Sequence, residues 1–430
     1  MPSRDSVGRR SMRLSSPEVR PPLDATRVWL VQMAEPLPYV GEHGRKMRTA
    51  LLAEYLASRG ATVTWWTSSL DHESKRLRTG DGLNPLPGLS VRLLRALPYS
   101  KNVSLRRLVN NSLIALRLLR AGLEVSDRPD VIVSSLPDVE ASLAASHLAH
   151  RFGCPFVIDV RDPYPDYFLL ALPPMWRSAG ALALWPWRSM LRRTLASADV
   201  VVAISDAMLS WAKGYRPRGP GKAWRAIPIG FELSDAHPAA ERLSPGPWTI
   251  WFVGSMNSII DLETPIVGLR SLPTEVGSKF RLVLSGAGDK LPRWQECARG
   301  MSNVVFTGPV FDGEFERHAA DADFGLAPYV PGTPSGWRNK HADYLSRGLP
   351  VLSSLDGEVA RSLAAHQSGL SFAAGSPQSF ATMLKRIAHS SALPLDAPKR
   401  AMKLAGELSS SRVNREFEFV LAEAIGQTSR

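Results

Sequence analysis

Cysteine is nearly absent: only Cys154 and Cys297 occur in 430 residues. Two thiols that far apart argue against a disulfide framework and against a cysteine-built zinc site. No stretch reaches the ~20 uninterrupted apolar residues that a spanning helix needs. The richest, residues 168–187, is broken by Pro173, Pro174, Arg177 and Pro186. The first 26 residues carry arginines and serines without an apolar core segment, so a secretory signal is not expected. There is no G-X-Y or heptad period, which excludes fibrous classes. No zinc-finger, homeodomain or RNP pattern occurs, so nucleic acid is not an expected partner. Against these absences stand 44% apolar and 21% charged residues, ordinary for a globular chain and too apolar for wholesale disorder. A cytoplasmic protein is expected.

The formal charge of +12 is unevenly placed. Residues 1–235 hold 32 Lys and Arg against 21 Asp and Glu, whereas residues 236–430 hold 20 against 19. Such asymmetry suggests that the first half meets an anionic partner: a phosphorylated substrate or an anionic membrane surface, nucleic acid being the reading from charge alone that no motif supports. A basic surface with no specific ligand is the bland alternative.

The order of elements points to α/β architecture. A strand over 27–33 leads through a glycine-containing loop to a helix over 45–59 and a β-branched strand over 62–67. Further apolar strands fall at 130–134, 155–160 and 199–204, with helices at 138–152 and 188–196 between them. GFELSDAHPAAERLSPGP, residues 230–247, has linker chemistry. The pattern then restarts with strands at 248–253, 280–285, 304–307, 324–328 and 350–353. The expected organisation is a basic disordered tail over 1–26, domains over 27–232 and 233–410, and an amphipathic terminal helix over 411–430.

Parallel α/β sheets bind ligands at the carboxyl ends of their strands. Gly41, His43 and Gly44 follow the first strand, ahead of a helix start suited to anions, though a plain tight turn explains them equally. Gly254 with Ser255, and Gly286, follow the first two strands of the second half; two such junctions in one sheet suggest a nucleotide cleft. The most informative stretch is PSGWRNKHADYLSRGLPVLSS, residues 334–354. Asn339 is expected to cap a helix, with Arg338 and Lys340 beside it and Asp343 one turn on. A cation and free amides suit a diphosphate, and a carboxylate suits ribose hydroxyls. An ordinary capped surface helix would use the same residues.

The run NKHADYLSRGLPVLSS resembles the donor-binding signature of group 1, family four-like glycosyltransferases of the GT-B fold. Their bacterial capsule, exopolysaccharide and O-antigen branch commonly reads P-N-K-x-x-E-Y-x-x-x-G-x-P-V. EPLPYVGEHGRKMRTALLAEYLASRGATVTWWTS, VIDVRDPYPD, SADVVVAISDAM, WTIWFVGSMNSIIDLET and DFGLAPY match in order, so the resemblance covers nearly the whole chain after the tail. It implies two Rossmann-like domains facing a cleft, with a last helix crossing back to the first domain. A nucleotide-sugar donor would be held by the second domain and a glycan or lipid-linked acceptor by the first. It implies hexosyl transfer with retention. No metal cofactor is expected, because the sequence shows no tight carboxylate cluster and helix-end amides with a lysine can replace a cation.

Three departures stand out. Asp343 replaces the usual Glu, Ser335 replaces the earlier acidic partner, and Gly254-Ser255-Met256-Asn257 lacks the cations that many members place there. Where relatives present a His, this chain has Arg161-Asp162. Arg161 is a candidate for stabilising the leaving diphosphate, Asp162 for general base, and His43 for a hydroxyl contact; a structural ion pair between Arg161 and Asp162 is the alternative. Asp159 reads as structural. A nucleotide-sugar epimerase and a non-catalytic partner remain alternatives on the same fold. Arginines 106, 107, 117 and 120 among leucines, and Arg188, Arg192 and Arg193 after Trp185 and Trp187, suit peripheral attachment to an anionic leaflet, the inner face of the plasma membrane.

Overall fold

The computed structural model describes residues 23–40, 46–72, 74–80, 82–99, 104–170, 172–215, 223–233, 246–389 and 392–428. Most of the expected tail, and the loop bearing Gly41, His43 and Gly44, lie outside the described residues.

Apolar runs form strands here because both faces of each sheet are covered by helices. The first domain runs β1 (Arg27–Val31), α1 (Arg48–Ser58), β2 (Thr62–Ser68), β3 (Gly82–Leu86), β4 (Leu89–Leu94), α2 (Leu105–Glu124), β5 (Val131–Ser135), α3 (Val139–Phe152) and β6 (Phe156–Val160). It continues through α4 (Tyr167–Leu170), α5 (Arg177–Ala183), α6 (Trp185–Ser197), β7 (Val200–Ala203), α7 (Asp206–Gly214) and β8 (Ala223–Ala226). The strands order as β3-β4-β2-β1-β5-β6-β7-β8, parallel except for the β3–β4 hairpin. That hairpin is not anticipated above: Pro85 and the alternating exposure of β3 disguise it as loop.

The second domain contains β9 (Trp248–Val253), α8 (Glu263–Arg270), α9 (Thr274–Gly277), β10 (Phe280–Ser285), α10 (Leu291–Cys297), β11 (Val304–Gly308), α11 (Asp312–Ala320) and β12 (Phe324–Ala327). Then follow α12 (Asn339–Leu345), β13 (Val351–Ser353), α13 (Gly357–His366), β14 (Gly369–Ser371), α14 (Pro377–Ala388), α15 (Ala397–Glu407) and α16 (Ser410–Thr428). Its sheet is wholly parallel, in the order β11-β10-β9-β12-β13-β14. This is the expected two-domain α/β architecture.

The terminal helix does cross back. Val413, Phe417, Val420 and Leu421 of α16 join the core of the first domain beside Val28, Leu30, Val63 and Trp65. Asn414 Nδ2 donates to the Leu51 carbonyl at 3.0 Å, and the Tyr55 hydroxyl donates to Glu418 at 2.7 Å. In each sheet the strand order reverses beside the domain's first strand, at β1/β5 and at β9/β12. A crevice opens at such a switch point. Among the described residues no helix is long and apolar enough to cross a membrane.

Candidate functional site

The second-domain crevice is built around Tyr344. β9 and β12 pair only at Phe324–Ile250 and Gly325–Trp251, then part. The Tyr344 hydroxyl fills the gap, accepting the Val253 amide at 3.0 Å and donating to the Leu326 carbonyl at 3.2 Å. Gly325 makes room for the ring, since a Cβ there would lie 2.2 Å from it. Tyr344 is fully buried, so α12 is locked onto the switch point.

Lys340, one turn earlier on α12, therefore reaches the end of β9. Its Nζ donates to the Val253 carbonyl at 2.5 Å, and the ammonium lies 4.5 Å from the centre of the Phe252 ring. A Cβ at Gly254 would sit 1.9 Å from Nζ and displace the ammonium, and the φ of +135° there favours glycine. Burial pushes the Lys340 ammonium down to about 8, with Asp343 opposing. Gly286 packs against the same junction: a Cβ there would meet the Gly254 carbonyl at 2.0 Å. Ser255 is exposed at the junction. Lys290 Nζ, 3.5 Å from the Ser258 carbonyl, borders the same loop and brings a second cation that spacing alone did not mark.

The cap of α12 differs from expectation. Asn339 is the first helical residue, and the N-cap position belongs to Arg338 in extended conformation. The fully buried His341 reaches back, its Nδ1 accepting the Arg338 amide at 3.3 Å. That bond leaves the proton on Nε2, which faces Ser353 Oγ at 3.2 Å. Burial pushes the imidazole down to about 3, so it stays neutral. An imidazole at the third helical position thus supplies the return half of a capping box, taking the amide of the N-cap residue itself. Ser335, at the place of the missing acid, donates from Oγ to the Asp356 carbonyl at 2.6 Å.

Across the cleft stands the loop after β6. Its root is a buried ion network. Asp159 holds Arg48 at 2.9 Å and Arg161 at 2.7 Å, and Arg161 also pairs with Glu35 and donates to Thr49 Oγ1 at 3.0 Å. Burial works to raise the Asp159 carboxyl, and the two guanidiniums outweigh it, holding it below the usual range. Asp159 is structural, as expected. Arg161 is committed to this network and pairs with Asp159 and Glu35 rather than with its neighbour Asp162.

Asp162 is left on the cleft wall, exposed. The protein around it pushes its carboxyl up, while Arg338 of the second domain and Arg161 pull it down. The domains also touch nearby. Glu358 accepts from Trp337 and from the Asp206 amide, and a Cβ at Gly336 would start 3.9 Å from Ser205 Oγ. The structure thus brings Lys340, Asp343, Gly254, Gly286 and Arg338 to one wall and Asp162 to the other. Tyr344, His341 and Glu358 were missed: Tyr344 and Glu358 depend on partners far away in sequence, and His341 on burial that makes an imidazole a neutral acceptor for the nearby Arg338 amide. Among the described residues no group of three His, Cys, Asp or Glu side chains could hold a metal ion.

Two facing parallel-sheet domains with a returning terminal helix define the GT-B class. Residues 44–230 match the family described as glycosyl transferase 4-like domain, and residues 247–390 match glycosyl transferases group 1. The chain belongs to the group 1 glycosyltransferases. Solved structures of the same fold include sucrose-phosphate synthase from Thermosynechococcus elongatus (TM-score 0.70, 15% identity, 94% of this chain and 100% of that one). Anabaena HepE in complex with UDP gives 0.61 at 13% identity, over 93% and 100%. WaaG, a glycosyltransferase involved in lipopolysaccharide biosynthesis, gives 0.57 at 15% identity, over 92% and 99%. No curated protein matches the sequence.

Proposed function

We propose that the protein moves a hexosyl group from a nucleoside diphosphate sugar to an acceptor hydroxyl on a lipid-linked or polysaccharide glycan, in the synthesis of a cell-surface polysaccharide. The observation that carries the reading is Lys340 held over Gly254 at the β9 switch point, with Asp343 one turn on and Asp162 on the facing wall. HepE, of the same fold, has been solved with UDP-glucose, which supports the donor class.

In this reading Lys340 and Arg338 compensate the diphosphate, so no resident metal is required, and Asp343 accepts ribose hydroxyls. The bond from the anomeric carbon to the diphosphate oxygen breaks, and a bond from that carbon to the acceptor oxygen forms. The acceptor proton leaves to Asp162, whose raised carboxyl is the better base for it. Arg161 serves by bracing the loop, through the network at its root. The acceptor oxygen attacks on the face from which the diphosphate leaves, so retention of anomeric configuration belongs to the same proposal.

The test is a thermal-shift panel of nucleoside diphosphates and their sugars, since a ligand of the native state raises its stability. A responding sugar nucleotide is then incubated with and without candidate acceptors. Transfer to an acceptor supports the reading, and the product's anomeric NMR coupling reports stereochemistry. Donor consumption without acceptor would identify an epimerase. No response from any sugar nucleotide would identify a non-catalytic relative.

A further inference from the structure

One part of the first domain is built unlike the rest. Between β6 and β7 the chain leaves the sheet and makes a lobe of α4, a 3-10 turn over Pro174–Trp176, α5 and the start of α6. α5 packs chiefly on its neighbours in this lobe, α4, the 3-10 turn and α6. Large apolar side chains of the lobe face outward: Met175 and Trp176 of the 3-10 turn are 81% and 61% exposed, Leu182 of α5 77% and Trp185 at the start of α6 62%. Scattered single apolar residues on a surface are ordinary, but four large ones on one short lobe mark an interaction site.

The lobe is presented rigidly. Trp187 turns inward, its Nε1 donating to Glu140 at 2.9 Å. Arg188 pairs with Asp166 at 3.1 Å, and Asp166 also accepts Trp211 Nε1 at 3.0 Å. Tyr167 stacks on Phe168 with ring centres 4.2 Å apart. Gly180 lets α5 lie close to the preceding turn, since a Cβ there would meet the Leu172 side chain at 2.5 Å. The outer surface is left unpartnered while its base is fastened to the domain.

Charge says what covers it. From Tyr167 to Ala198 there is no acidic residue, against arginines at 177, 188, 192 and 193. Arg177, Arg192 and Arg193 are exposed. A second copy docking through the same patch would bring these like charges together. Tryptophan favours the headgroup layer, and arginine beside it favours anionic lipid.

We propose that this lobe is the membrane-docking element, inserting Met175, Trp176, Leu182 and Trp185 into the headgroup layer of an anionic leaflet. The inference rests on the reading above that the acceptor is lipid-linked. α4 begins five residues after Asp162, so a lipid chain held by the lobe brings its glycan head toward the cleft wall. It also corrects the sequence expectation, which counted Trp187 with Trp185: Trp187 is a brace, and Met175, Trp176 and Leu182 are added.

The experiment is vesicle flotation of the full chain, using phosphatidylcholine with and without phosphatidylglycerol, at low and high salt. The wild type should float with anionic vesicles at low salt only. A variant with Met175→Ser, Trp176→Ser, Leu182→Ser and Trp185→Ser should lose at least about tenfold in partitioning. It should keep its thermal response to the donor nucleotide. Arg177→Glu, Arg192→Glu and Arg193→Glu together form a second variant, which should lose binding if the first fails to fold. Equal binding to neutral vesicles, or unchanged binding by a folded variant, overturns the proposal. A wild-type dimer by light scattering that the variants abolish overturns it too, in favour of a second copy. A wild type that floats with anionic vesicles but shows no thermal response to any donor nucleotide would instead refute the transferase reading and leave docking standing.

Discussion

Replacing Lys340 with methionine separates what the ammonium costs the fold from what it contributes to the ligand. The methylene stem over the Phe252 ring is retained, and the charge is removed. Burial lowers this lysine from 10.5 to about 8. That corresponds to roughly 3 kcal/mol held against the charged form at pH 7. The lost hydrogen bond to the Val253 carbonyl returns about 1 kcal/mol, because that half-buried end of β9 can accept water instead. The unliganded variant should therefore be more stable by about 2 kcal/mol, a rise of a few degrees in Tm. Donor binding should move the other way. A charge-assisted phosphate contact is worth about 1.5–3 kcal/mol, so affinity should fall roughly 10- to 150-fold.

The pH dependence has a defined sign. The unfolded lysine keeps its proton up to 10.5 and the folded one only to about 8, so the unfolded state binds more protons between those values. This group's contribution to stability rises with pH across that window, and the rise should vanish in Lys340→Met. Diphosphate binding restores the charge, so calorimetry near pH 8.5 in buffers of different ionisation enthalpy should record proton uptake in the wild type alone. A variant that is less stable yet binds the donor with wild-type affinity would refute both halves of the reasoning.

Asp162→Asn should lower turnover at least ~100-fold with donor affinity nearly unchanged, since it removes basicity and keeps shape; equal losses in both would make it a binding residue. Asp159→Ala strands Arg48 and Arg161 without their shared carboxylate and should cost about 3–5 kcal/mol in urea unfolding, the usual penalty for breaking a buried pair. Gly254→Ala sets a Cβ 1.9 Å from Lys340 Nζ at a φ of +135°. It should abolish the thermal response to donor while costing about 1–3 kcal/mol of stability; a retained response would move the phosphate seat elsewhere. Asp343→Ala should weaken the sugar nucleotide and the free nucleoside diphosphate alike, read by titration calorimetry, with unfolding little changed.

What the sequence by itself determined was whatever repeats locally along the chain. Trp248–Val253 and Phe280–Ser285 are apolar runs in a parallel sheet, and their ends follow from composition alone. The glycines after them and the NKHADY run, with its likeness to a known donor signature, located one wall of the cleft. The terminal helix was legible because its apolar face has helical spacing and needs a partner.

Tertiary structure decided which of two adjacent side chains faces where. Arg161 and Asp162 are neighbours in sequence, yet one enters a network with Arg48 and Glu35, more than a hundred residues away, and the other faces Arg338. Trp185 and Trp187 read alike, but Glu140 captures one and leaves the other in solvent. Asn339 looked like the cap because its amide suits that place, but the extended turn falls one residue earlier, at Arg338, whose amide goes to His341, neutral in a buried pocket. Spacing records the period of an element and the face a residue occupies. Which charge, carbonyl or ring waits at that face depends on the crossovers that carry distant strands together, and only the folded chain has made them.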